Sequence, residues 1–243
     1  MARVPLYREV KERLIQALAA KEWPPGGKIP VEPELARRFG VGIATVRAAV
    51  GELEAAGILA RRQGKGTFVS EHANQGRLYR FFNLVRKDGE REIPSRHVVG
   101  LRRGQPTAEE TELLQLSRYR RSQAVHRLRI AFSLHGKKVG VSDVTLPVGL
   151  FPRLTLAGVR DVSVTLYALY QSNYNVNVIS VTADVSAERA PRDVARLLGI
   201  AAGGPVLAIH RKAYTYEDVP VELRLTWVNT ADYKFHVNQG STV

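Results

Sequence analysis

The chain has 243 residues, is 44% hydrophobic and carries 36 Lys and Arg against 23 Asp and Glu, a net charge of +13. Its apolar content supports a sizeable core and excludes wholesale disorder, and the lack of cysteine excludes disulfides and cysteine-ligated metals. So basic a balance suits a polyanion, with DNA the first choice and an acidic membrane surface the other. The N-terminus, MARVPLYREVKER, holds no apolar signal core, and no apolar run approaches the ~18 residues of a membrane span. A soluble cytoplasmic protein is expected. Residues 1–72 hold only 12 basic and 8 acidic residues, so most of the excess charge lies beyond them.

Leu6, Val10, Leu14 and Leu18 recur at helical spacing, with Pro5 suited to a first turn and Pro24-Pro25-Gly26-Gly27 as a stop. Pro33 opens a second short helix, which buries Leu35, Ala36 and Phe39 and ends at Gly40. A third helix is predicted over 43–56, with Val46, Ala49, Val50 and Leu53 on one stripe and Gly57 as its stop. Short strands over 58–62 and 67–70 flank a Gly64-Lys65-Gly66 turn. Two helices on a tight Gly40-Val41-Gly42 turn and a basic hairpin make the layout of a winged helix-turn-helix.

The pattern weakens over 71–94, and a domain boundary is placed near residue 75. Beyond it, strands are predicted over 95–103, 123–134, 138–146, 176–186, 206–216 and 219–228, and helices over 107–116, 163–172 and 191–198. The expected fold class is α+β. Residues 1–72 form the winged head, 73–94 a linker and the start of the second domain, and 95–243 an antiparallel-sheet domain with a few helices.

In a helix-turn-helix the early residues of the second helix reach base edges while flanking groups hold phosphates. Thr45 and Arg47 lie off the buried stripe and face outward; Arg47 can hold a phosphate or donate twice to a guanine. Gly64 and Gly66 let the wing approach a groove wall and Lys65 adds charge. Arg62 and Gln63 flank that tip, Arg61 stands at its base, and Arg37 and Arg38 flank the second helix. In the second domain Arg127 and Arg129 alternate off a strand whose apolar face is Leu128, Ile130 and Phe132. Paired guanidiniums repel unless solvated or bridged by an anion, so either a solvated face or an anion site is open. Glu222 lies opposite Val221, Leu223, Leu225 and Trp227, which allows Arg127, Arg129 and Glu222 to share one polar face. His97, His126, His135 and His210 fall in no triad or metal-ligand spacing, and His126 reads as a buried structural histidine.

Residues 5–69 resemble the DNA-binding domain of the GntR family of bacterial transcription regulators. The matching pieces are Pro5-Leu6-Tyr7, Pro25-Gly26 before Ile29-Pro30, Glu34-Leu35-Ala36, Phe39-Gly40-Val41, Thr45-Val46-Arg47, Leu53-Glu54 with Gly57, and 62–69. The family usually has a serine at Val31, an arginine at Pro33 and Ser-Arg at Gly42-Ile43, so the resemblance implies a different or weaker operator. Residues 77–238 resemble the UTRA effector domain of the HutC-type subfamily, which shares the chorismate lyase fold. Arg127-Leu128-Arg129, Thr165-Leu166-Tyr167, Gly204-Pro205-Val206-Leu207, Pro220-Val221-Glu222 and 232–235 carry that resemblance. It implies an effector site using Ser95, Arg127, Arg129, Thr165 and Glu222, with Tyr167 nearby. Family members often carry a carboxylate at Ser142, which puts a standard phosphosugar in doubt and leaves another acidic molecule open.

The expected function is a homodimeric, ligand-responsive repressor of a palindromic operator, released by a small anionic effector. No metal, cofactor or catalytic residue is expected. The alternatives are a constitutive architectural or plasmid-maintenance DNA binder with a degenerate sensor and, less favoured, a lyase-like enzyme.

Overall fold

In the computed structural model the described residues are 5–71, 83–119, 122–160 and 165–237. The head holds α1 (Leu6–Ala19), α2 (Glu32–Phe39), α3 (Ile43–Ala55), β1 (Leu59–Arg62) and β2 (Gly66–Val69). Leu14, Leu35, Val46 and Leu53 are fully enclosed, each contributing about 1.5–3 kcal/mol of burial. Gly40, with φ at 68°, closes α2 in the left-handed conformation and turns the chain into α3. In the antiparallel wing, Lys28 bridges to Phe68. Gly66 has φ at 117°, and a side chain there would collide with Lys28.

The second domain is built on six antiparallel strands in the order β4-β5-β6-β9-β8-β7. These are β4 (Ser95–Gly104), β5 (Val125–Leu134), β6 (Lys137–Pro147), β7 (Ser180–Arg189), β8 (Pro205–Tyr214) and β9 (Pro220–Val228). One face is covered by α4 (Ala108–Leu113) and α7 (Arg192–Leu198), which pack on Val125, Val141, Leu223 and Trp227. The other carries α5 (Leu156–Arg160) and α6 (Leu166–Tyr174) over Leu128, Val144 and Leu146. Two three-residue strands, β3 (Leu84–Arg86) and β10 (Tyr233–Phe235), pair and close the far end of that second face over Phe132, Ile209 and Val228.

Two differences from the sequence expectation bear on the second domain. Val176 and Val178 enter the core as extended chain, and strand β7 begins only at Ser180 and runs on to Arg189. Strand β3 lies inside the segment read as linker. The expected boundary near residue 75 lies outside the described residues. The domains touch through the turn between β8 and β9. Tyr216 enters the head core, with Ile179 packed beside it. Gln171 of α6 donates to the Ser70 carbonyl at 3.1 Å and to Asn177 at 2.7 Å, and Asn177 donates to the Tyr216 hydroxyl at 3.1 Å.

Candidate nucleic-acid interface and effector site

Helix α3 presents its polar side to solvent because Val46, Ala49, Val50 and Leu53 are all drawn into the core. Arg47 is 65% exposed, and its Nε donates to Glu32 at 2.9 Å. The same carboxylate accepts from Arg61 at 3.2 Å, so Glu32, at the start of α2, joins the recognition helix to the base of the wing. Sequence reasoning missed Glu32, because its partners come together only through the packing of α2, α3 and β1. The wing tip, Gln63, Gly64 and Lys65, stands exposed, and Arg62 stacks 4.5 Å above the Phe68 ring. Arg37 is exposed. Arg38, also exposed, clamps Glu22 through two nitrogens and lies 5.6 Å over Trp23, which ties α2 to the turn after α1. Thr45 is half-buried beside the exposed Ile43, which is 44% accessible at the first turn of the recognition helix.

The expected effector residues divide between the two faces of the sheet. Arg127 pairs across β6 with Thr145, which pairs with Leu223 of β9, so Glu222 and Arg224 point the opposite way. The shared polar face proposed for Arg127, Arg129 and Glu222 is therefore not formed. Protein carboxylates hold the two arginines. Glu110 accepts from both terminal nitrogens of Arg127, while Asp143 and Asp193 hold Arg129. Glu110 is fixed in turn by its capping box with Thr107 at the start of α4. Burial opposes the Glu110 charge, but the bonds from Arg127, the Thr107 amide and Thr145, with the Arg127 charge, together outweigh it and its pKa falls. These pairs fasten α4 and α7 to the sheet. Ser95 is exposed at the start of β4 and bonds the Ser133 carbonyl, on the same side as Arg127. Thr165 caps α6 by accepting from Ala168, so its hydroxyl is in use.

Tyr167 and Glu222 do meet, on the α6 face. Glu222 is fully buried and accepts four bonds: from Tyr167 at 3.1 Å, from Tyr170 at 2.6 Å and from Arg224 at 2.9 and 2.7 Å. Burial works against the Arg224 charge, yet the Glu222 carboxylate holds its pKa above the usual value. Arg224 also lies 5.4 Å over the Tyr167 ring. Ser142 and Thr226 exchange a hydroxyl bond of 2.8 Å one row along the same face. His126 is buried and donates to the Phe151 carbonyl at 2.9 Å, and burial pulls its pKa down. Its role is structural, as its place on the apolar face implied.

The two buried tyrosines set an alkaline limit. Burial raises the Tyr167 phenol to about 12, with the Glu222 charge adding to the effect, and burial pushes Tyr170 well up. In the unfolded chain both titrate near ~10. Their contribution to stability is complete below about pH 10 and is lost as the pH rises towards and through the folded values. Effector-domain unfolding is expected to set in just above about pH 10, and Tyr167→Phe to flatten the fall between about pH 10 and 12. Melts recorded across that range check this, and an unchanged slope in the variant contradicts it.

A winged helix-turn-helix with its charged edge exposed, joined to a helix-covered antiparallel sheet with a buried polar centre, defines a two-domain DNA-binding regulator. The gntR family of bacterial regulatory proteins matches residues 6–69, and the UTRA domain matches residues 90–234. The HTH-type transcriptional regulator Rv0792c of Mycobacterium tuberculosis is 31% identical over 99% of this chain and 88% of its own length. The mannosyl-D-glycerate transport/metabolism system repressor MngR of Escherichia coli is 26% identical over 97% of this chain and 96% of its own. A histidine utilization repressor of Pseudomonas putida is 40% identical over 33% of each chain. Among solved structures, the ligand-binding domain of a GntR-family regulator from Bordetella bronchiseptica superposes with a TM-score of 0.61 at 28% identity. It covers 67% of this chain and 99% of that one. The chain belongs to the GntR family and carries a UTRA domain, a class of transcription regulators rather than enzymes. Among the described residues, no helix is long and apolar enough to cross a membrane.

Proposed function

We propose that the chain is a dimeric repressor that reads a palindromic operator through α3 and the wing and lets go when a small acidic effector binds the UTRA domain. The observation that carries the reading is helix α6. Tyr167 and Tyr170 on it grip Glu222 at the centre of the effector domain, and Gln171, the next residue, holds the Ser70 carbonyl at the end of the wing. A ligand that moves the tyrosines moves Gln171, and it shifts the head only as far as it prefers one arrangement over the other. The second copy is expected to join at β7, a ten-residue edge strand whose middle is exposed on both faces.

Operator affinity of the full chain, measured at fixed salt with phosphorylated and carboxylated metabolites, tests this. A loss of roughly 5- to 150-fold with one of them supports effector release. If none changes the affinity, the constitutive binder is the correct reading. In a Gln171→Ala, Tyr216→Ala double variant the same metabolite is expected to leave operator affinity unchanged. A full response in the variant excludes α6 as the connection.

The reading edge also sets a base preference. Ile43 and Val31 are exposed beside Arg47, and apolar side chains in the major groove favour the thymine methyl group. Replacing operator thymines by uracil is expected to weaken binding at the base step that Ile43 meets. Equal affinity at every step removes Ile43 from the reading set.

A further inference from the structure

We infer that Arg211 and Arg224 form an anion site on the α6 face of the sheet, and that it takes the phosphate or carboxylate group of a small metabolite. This rests on the effector reading above and gives that effector a place and a chemistry. The residues differ from the Arg127, Arg129 and Ser95 set, which lies on the other face.

Arg211 of β8 and Arg224 of β9 are directly opposed across the antiparallel pair, so their side chains leave the sheet on the same side. Like charges in that position destabilise a sheet unless something bridges them. Glu222 cannot bridge them, because Arg224 and the two tyrosines already occupy it with four bonds. Among the described residues the buried Nε of Arg211 has no partner. Arg96, on the same face at the edge strand, donates to the Val159 carbonyl at 3.3 Å. Burial lowers its pKa and the Arg224 charge lowers it further. Arg224 lies 5.4 Å over the Tyr167 ring of α6, which sets it under that helix.

The opposite face offers a contrast in how arginines are held. Arg127 and Arg129 are each closed off by carboxylates from other elements. On the α6 face Glu222 is taken by Arg224, and among the described residues no carboxylate pairs with Arg211. An oxyanion with two or more oxygens can accept from the Arg211 fork and from the Arg224 nitrogen that Glu222 does not use, which a single hydroxyl or amide cannot do. The Ser142 and Thr226 hydroxyls, one row along, stand ready for the rest of such a molecule.

The test is a thermal melt of the full chain with sodium phosphate, sodium succinate or sodium chloride at matched ionic strength. Phosphate, succinate or both are expected to raise the melting temperature beyond chloride, and the stronger one names the ligand chemistry. Arg211→Met is expected to weaken that binding roughly 10- to 100-fold, the value of charged hydrogen bonds lost. It is also expected to raise the melting temperature without anion, because it removes one of two like charges directly opposed across the strand pair. A purely structural arginine would give the reverse, a lower melt and an unchanged anion response, and that result overturns the proposal. So does a wild-type protein that treats all three salts alike. Operator affinity of the wild-type chain with the stabilising anion is a separate readout. If the anion binds but the operator is held as before, the site stands and the release mechanism falls.

Discussion

An Arg47→Ala protein is expected to bind its operator no better than unrelated DNA at the same salt. Arg47 is 65% exposed and anchored at its Nε by Glu32, while the neighbouring Val46 is wholly buried. The side chain is therefore aimed without being part of the core. A good base contact is worth about 1–3 kcal/mol, and a dimer makes it twice, so the loss is roughly a thousandfold. Folding should be little affected, because an exposed ion pair contributes about 0–1 kcal/mol. Titrations with operator and scrambled duplexes, beside a melt of the variant, separate the two effects. Retained sequence preference excludes Arg47 as the reading residue.

The second large effect is expected at Glu222. Alanine there strands the Arg224 guanidinium and two tyrosine hydroxyls in the core. Breaking one side of a buried pair costs about 3–5 kcal/mol, a large share of the roughly 5–15 kcal/mol that holds a domain folded. Glu222→Ala should leave the UTRA domain largely unfolded at 37 °C. Replacing both partners, Glu222→Leu with Arg224→Met, should recover much of the loss, since the uncompensated charge goes with them. Calorimetry of both variants decides this. A stable single variant would mean that the four bonds to Glu222 carry little weight.

Much of the fold is legible in the sequence, and the reasons are local. The Val46, Ala49, Val50 and Leu53 stripe, the Gly40 stop and the positive-φ glycines of the wing each depend on a few neighbouring residues. The alternation of Arg127 and Arg129 against Leu128 and Ile130 is correct for the same reason. Which of those faces Glu222 joins depends instead on register across β5, β6 and β9, and a shift of one residue reverses the answer. The carboxylates that capture the arginines, Glu110, Asp143 and Asp193, come from three separate elements. The pairing of β3 with β10 joins segments at opposite ends of the second domain in strands too short for alternation to show. At Arg211 and Arg224 alternation does mark a shared direction within each strand, but their opposition appears only once β8 and β9 are in register.

Selection of duplexes from random DNA by the full chain, repeated with and without phosphate and succinate, tests the central claim most directly. A two-fold symmetric sequence should emerge, lost in the Arg47→Ala protein and held more weakly when the stabilising anion is present. Recovery of no preferred sequence, or of one that Arg47→Ala binds equally well, would contradict it.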